Sequence, residues 1–262
     1  MVSVKQFGGP NVGDAVGSRI IENVLGCAVR TIGEEPAGTA HVIGIGSIAH
    51  WSDKDSFLWG CGLIDQYVAL QHAPAAVLAV RGYRTRDILH ARGIQCSEVI
   101  GDPGLLLPEL IPAEKSPRFD LGIIPHYVDL DSAFVDACRR QGILVISPLL
   151  PAQEYVEMLV SCNRILTSSL HGIVFAHAYG VDAVWVTISD RVHGNGFKFA
   201  DYYSSLGVLS KEFPTLRPSD ATIDRMAASC WQPSRLPDRA ALRGALVAHK
   251  SVLDRDLEEA VA

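Results

Sequence analysis

The stretch Thr167-Ser168-Ser169-Leu170-His171-Gly172 ends an apolar run on three hydroxyls and a histidine, just before a helical pattern. Backbone amides and hydroxyls that converge at a helix start make an anion site. Ser168 and Ser169 are therefore candidate substrate contacts. Beside a bound phosphate the protonated form of His171 would be favoured, which suits a general acid. A lone histidine can equally be a structural residue. His126 closes a second apolar run in Pro125-His126-Tyr127. Near the start, Gly8-Gly9-Pro10-Asn11-Val12-Gly13-Asp14 is a glycine-rich turn that delivers Asp14 to a helix, with Asn11 and Gly13 as further candidate contacts. Asp14 reads either as a helix cap or as a carboxylate able to take a proton from a substrate hydroxyl.

Cations come next. Arg81-Gly82-Tyr83-Arg84-Thr85-Arg86 sets three arginines at the end of the run AVLAV. Positive charge is unfavourable at a helix start unless an anion is near, so Arg81, closest to the strand tip, is the candidate anion clamp. Lys198 follows the glycine loop His193-Gly194-Asn195-Gly196, which has the composition of a mobile lid. Gly44-Ile45-Gly46-Ser47-Ile48-Ala49 satisfies a dinucleotide fingerprint with Asp65 about twenty residues on. The next strand-like run begins too soon for the helix that fingerprint needs, so close backbone packing explains the glycines better. Asp102 in Gly101-Asp102-Pro103 reads as a turn former, and His177, inside an apolar helix, as core.

These residues need strand ends to carry them. Short apolar runs at 4–7, 41–45, 57–60, 76–80 and 98–100, then at 121–125, 144–147, 164–168 and 183–186, predict strands. Helical spacing falls between them at 14–25, 84–91, 133–140, 152–160 and 173–179. Almost continuously apolar strands alternating with helices predict parallel sheets covered on both faces. The proline-rich stretch 107–117 has the composition of a linker. The expected organisation is an α/β chain with two Rossmann-like domains facing a cleft: 1–112, 118–235, and a helix at 238–262 that packs back on the first.

Composition narrows the function. With 48% hydrophobic and 20% charged residues the chain has enough apolar matter for a core. A net charge of −6 and no cationic block argue against a nucleic-acid partner, though not against an anionic small molecule held in a local cationic pocket. No run is long and apolar enough for a membrane span, and the N-terminus has no signal-peptide core. The six cysteines form neither a CxxC pair nor a Cys/His cluster, so neither a disulfide framework nor a metal site is expected. The expectation is a soluble cytoplasmic protein.

The segments NVGDAVGSRIIENVLG, GIGSI, FLWGCGLI, AVRGYRTRDIL, GDPGLLLP, GIIPHYVD, SSLHGIVFAHAYGVDAVWV and KFADYYSSLG follow one another over most of residues 11–207. Together they resemble the polysaccharide pyruvyl transferase family, nearest to its bacterial exopolysaccharide branch. The resemblance implies a GT-B-like fold and transfer of the enolpyruvyl group of phosphoenolpyruvate onto two sugar hydroxyls, giving a pyruvate ketal. Phosphoenolpyruvate is then a co-substrate and no cofactor is required. The first domain becomes the acceptor side and the second the phosphoenolpyruvate side. The acceptor becomes an oligosaccharide or lipid-linked glycan, which allows peripheral contact at the inner face of the membrane. His171 is implied to bind and protonate phosphoenolpyruvate. Some members carry an arginine two positions earlier; here that residue is Ser169. The cation must then come from Arg81, Arg164, Arg191 or Lys198. Two other classes share these features: a glycosyltransferase using a nucleotide-sugar, and a non-catalytic glycan-binding subunit of an assembly complex.

Overall fold

A computed structural model describes residues 1–34, 38–208 and 216–254. Strand and helix alternate. β1 (Val2–Lys5) leads to α1 (Val12–Leu25), β2 (Val29–Ile32), β3 (His41–Ile43), β4 (Ser56–Trp59), β5 (Ala76–Ala79), α2 (Tyr83–Ala91) and the one-turn α3 (Leu107–Leu110). The second series is β6 (Phe119–Ile124), α4 (Ala133–Arg140), β7 (Leu144–Val145), α5 (Ala152–Val160), β8 (Cys162–Thr167), α6 (Leu170–Ala178) and β9 (Asp182–Trp185). Then come α7 (Phe197–Ser205), α8 (Ile223–Ala228), α9 (Arg239–Val247) and α10 (Lys250–Leu253).

The strands form two sheets, ordered β2-β1-β3-β4-β5 and β7-β6-β8-β9. Every pairing between them is parallel. This is the mixed α/β pattern of Rossmann-like units. Two strands differ from expectation. β2 has no apolar run in the sequence, because it is an edge strand whose central Arg30 and Thr31 face solvent. The 98–100 run makes only an isolated bridge, Val80 to Ile100. Helix starts differ too. α1 begins at Val12, with Asn11 as its cap, and α6 begins at Leu170, three residues before its apolar periodicity becomes visible.

The proline-rich stretch is exposed at Glu109, Pro112 and residues 114–117 but anchored at Leu107 and Ile111, which are buried. Leu105, Leu106, Leu107 and Ile111 are buried in one apolar cluster with Val4 and Val42 of the first sheet and Ile165 and Phe175 of the second half. The leucines between the prolines thus join both sheets into a continuous core. α9 crosses the first sheet, and its Leu242 carbonyl accepts a 2.8 Å hydrogen bond from the indole of Trp59 on β4. Lys250 donates to the Leu25 carbonyl at the end of α1. Of the 238–262 segment, residues 255–262 lie outside the described residues.

A second contact fixes the halves closely. Gly82, at the cap of α2, lies against Asp201 of α7, and a Cβ there would overlap the Asp201 carbonyl oxygen. Asp201 accepts hydrogen bonds from Arg81 Nε at 2.9 Å, from Thr85 N at 2.8 Å and from Thr85 Oγ1 at 2.8 Å. α7 is thereby held by the first half of the chain while its sequence belongs to the second.

Candidate active site

In each sheet the winding reverses once, between β1 and β3 in the first and between β6 and β8 in the second. At such points neighbouring loops diverge and leave a crevice beyond the carboxyl ends of the strands. One cavity of about 290 Å³ is walled by all four of these loops: Asn11 after β1, Ser47 after β3, His126 after β6 and Ser169 after β8. That is near the lower limit of small-molecule pockets. Lys198 and Asp14 also face it.

Three helices begin at its wall. Asp14 is in the first turn of α1, His171 in that of α6 and Lys198 in that of α7. Helix N-termini carry unpaired N–H groups and the positive end of the dipole, so their convergence favours an anion. Asn11 caps α1 by accepting from Asp14 N at 3.2 Å, and its amide also donates to the Asp14 carboxylate. Asp14 is therefore not the cap, and its carboxylate is held rather than consumed. α1 and α6 meet at Gly13, where any Cβ would overlap the His171 imidazole. The His171 ring also stacks on Phe175, with centroids 5.5 Å apart.

The pocket shifts its own titrations. Burial pushes Asp14 up to about 6, against the Asn11 hydrogen bond and the charge of Lys198. Burial pulls Lys198 down to about 8, helped by Arg81 and opposed by Asp14 and Asp129. Lys198 makes no hydrogen bond or ion pair among the described residues, and only 8% of it is exposed. His171 is lowered to about 3 by burial and by Lys198, Arg81 and His126, and its Nε2 is buried without a partner. Without an anion in it the pocket thus favours neutral His171. His126 is similarly lowered to about 4, by burial first, then by Lys198 and His193. A base near 6, an acid near 8, neutral imidazoles and helix dipoles are the parts of a site that binds an anion and moves protons.

A family model described as polysaccharide pyruvyl transferase matches residues 41–190, over half of the chain. The chain belongs to the polysaccharide pyruvyl transferase family. Uncharacterized protein L143 of Acanthamoeba polyphaga mimivirus is 31% identical over 215 residues, covering 78% of this chain and 73% of its own. Succinoglycan biosynthesis protein ExoV of Rhizobium meliloti (strain 1021) is 24% identical over 160 residues, covering 57% of this chain and 48% of its own length. The family match contains His126 and His171 but stops short of Asp14 and Lys198 on either side.

For this pyruvyl transferase family member the cavity gathers Asn11, Asp14, His126, Ser169, His171 and Lys198, with Gly13 beneath the imidazole. Other candidates lie elsewhere. Arg81 is fully buried behind the pocket, its guanidinium engaged by Asp201, by Ser47 Oγ at 2.7 Å and by the Leu63 carbonyl at 2.9 Å. It contributes charge from behind rather than open donors. Arg191 is half exposed and pairs with Asp131 at 3.2 Å, and Arg164 pairs with Asp120. Ser168 is turned away: it accepts from His126 N and donates to the buried Asp129, each at 2.8 Å, so it fixes the loop after β6. The fingerprint glycines after β3 lead to a three-residue 3-10 turn at Ala49–Trp51 instead of the helix a dinucleotide needs. Asp102 does cap a turn, through Gly104 N, and His177 is buried against Tyr202 and Trp231.

Sequence reasoning missed Ser47, His50, Trp51 and His193 as lining residues. The first three sit in an aperiodic stretch, where only its position after a strand could have drawn attention. His193 was visible, because it opens the loop that ends in Lys198.

Among the described residues no group of His, Cys, Asp and Glu could hold a metal ion, and no helix is long and apolar enough to cross a membrane.

Proposed function

We propose that this chain transfers the enolpyruvyl group of phosphoenolpyruvate onto two hydroxyls of a glycan, forming a pyruvate ketal, from a GT-B-like arrangement of its two sheets. The observation that carries this reading is the nearly buried Lys198 ammonium, without a hydrogen bond or ion pair among the described residues and with only the Phe199 ring beneath it at 5.8 Å, in the same pocket as Asp14 and three helix N-termini. Such a site suits a small polyanion with a phosphate and a carboxylate, and the family match makes phosphoenolpyruvate the fitting one.

In this mechanism Lys198 and the helix starts hold the phosphate and carboxylate. Their negative charge reverses the field on His171 and raises its affinity for a proton. His171 then takes up a proton from solvent and passes it to the methylene carbon, and C2 gains oxocarbenium character. The proton that Asp14 collects in the next step returns to solvent to restore the enzyme. One sugar hydroxyl attacks C2 and gives its proton to Asp14, which at about 6 is a serviceable base near neutrality. The C2–O bond to phosphate breaks, the second hydroxyl closes the ring, and its proton leaves with phosphate. The sum is one phosphoenolpyruvate and one diol giving one ketal and one inorganic phosphate. The lipid-linked nature of the acceptor, and hence any approach to a membrane, belongs to the same proposal.

The test follows inorganic phosphate by phosphorus NMR, with phosphoenolpyruvate and a defined glycan acceptor, in wild type, His171→Ala and His171→Gln. Release only when both substrates are present, and its loss in both variants, is expected. Equal release in wild type and variants would remove His171 from the chemistry. Release with neither enzyme form would remove the activity.

A further inference from the structure

The loop from His193 to Lys198 separates the reaction pocket from two further cavities. One, of about 190 Å³, lies beyond β8 and β9 and is bordered by Trp185, Thr187, Asp190, Asn195 and Arg217. The other, of about 430 Å³, is bordered by Asp65, Tyr67, Arg84, Trp185 and Asn195. Trp185 and Asn195 belong to both, so the cavities flank one aromatic residue. Lys198, three residues on in the first turn of α7, meanwhile faces the reaction pocket.

We propose that these two cavities are one groove that binds a neutral oligosaccharide, a sugar unit in each cavity with Trp185 at their shared border, leading the chain to the reaction pocket. This rests on the pyruvyl-transfer reading only for what the bound sugar is there to do.

The chemistry of the walls separates this groove from the reaction pocket. Each cavity is balanced in charge, with Asp190 and Arg217 in one, paired at 3.1 Å, and Asp65 and Arg84 in the other. An anion would need a cationic excess like that at Lys198. A sugar needs instead donors and acceptors together, since each hydroxyl is both, and an aromatic surface for its C–H face. One face of Trp185 is covered by Phe199, stacked at 4.5 Å, which leaves the rest of the ring to the cavities, and Tyr67, which borders the larger cavity too, is 84% exposed.

Two details point to an absent partner. Thr187 borders the smaller cavity, and its Oγ1 is buried without a hydrogen bond, so a small shift of its side chain would offer a hydroxyl to a ligand there. Asn195 has φ of +45°, the one non-glycine residue in the left-handed region among the described residues. Strained positions of this kind cluster at binding sites, and this one borders both cavities.

The test titrates cello-, laminari-, manno- and galacto-oligosaccharides, from monosaccharide to hexasaccharide, by tryptophan fluorescence and saturation-transfer NMR, with phosphoenolpyruvate titrated in parallel. In at least one series, affinity should climb roughly ten-fold between the monosaccharide and the tetrasaccharide. Asn195→Gly keeps the backbone conformation and Tyr67→Ala alters only an exposed ring, so both should fold. Each should weaken the tetrasaccharide several-fold and leave phosphoenolpyruvate binding unchanged. Trp185→Leu should abolish the length dependence. Failure of every series to bind, affinity independent of length, or indifference to Asn195→Gly and Tyr67→Ala overturns the groove. Length-dependent glycan binding without phosphoenolpyruvate binding would retain the groove and remove the pyruvyl-transfer reading.

Discussion

Lys5 and Lys198 are both hidden from solvent, yet their surroundings use them differently. Lys5 ends β1 and is fully buried, and it donates to Asp53 at 2.8 Å and to the Trp51 carbonyl at 3.2 Å. Burial works against the charge of Asp53, but the bonds from Lys5 and Asp55 N and the nearby His41 hold it below the usual carboxylate range. Lys198 has carboxylates within reach of its field, Asp14 and Asp129, and neither pairs with it. A buried ammonium closed by a carboxylate is a fastening. One left open at a pocket has paid its desolvation in advance and binds the next anion to arrive.

The comparison breaks most sharply under the same substitution at both sites. Lys198→Met should lower kcat/KM by about 10³-fold while thermal unfolding shows a Tm equal to or above that of the wild type. Lys5→Met should strand Asp53 and cost about 3–5 kcal/mol of stability, measured by denaturant unfolding. A Lys198→Met protein as unstable as Lys5→Met would make both lysines structural.

Asp14→Asn sharpens the contrast from the other side, with an expected loss of about 10²-fold in kcat. Because folding raises Asp14 to about 6, the folded state binds its proton more tightly than the unfolded chain. Wild-type stability from this group is present in acid and lost as pH rises through about 6. Tm differences between variant and wild type, measured across pH, should therefore open over that interval in favour of Asn and then stay level.

The pH profile of kcat/KM should fall below about 6, where Asp14 takes a proton, and above about 8, where Lys198 loses one. In Lys198→Arg the alkaline limb should disappear, since guanidinium keeps its charge. At the bottom of the scale, the exposed Arg243–Glu109 pair at 3.0 Å gives a baseline: Arg243→Ala should cost no more than about 1 kcal/mol and leave turnover untouched.

The legible parts of the site were those where residue type changes abruptly. The step from apolar β8 to hydroxyls and His171 announces a strand-to-helix elbow, and a lysine two residues after the glycine loop 193–196 stands out. Strand order, by contrast, decided which loops would share the cavity, and nothing local encodes it. Arg81 shows the limit most clearly. Three arginines in six residues marked the segment, but the partner that buries Arg81 is Asp201, 120 positions away. β2 escaped for a different reason: an edge strand exposes half of its side chains, so Arg30 and Thr31 hid it among loop residues.

The seamless apolar core around Leu107 bears on how the molecule handles its substrates. A protein whose halves were joined by a solvated strap could admit large ligands by swinging open. Here separation would expose Leu105, Leu107, Ile165 and Phe175 together, which makes wide gaping a form of unfolding. Substrates must then enter by the rim of a socket already assembled. Loading that socket should slow amide exchange in both sheets at once, as one body.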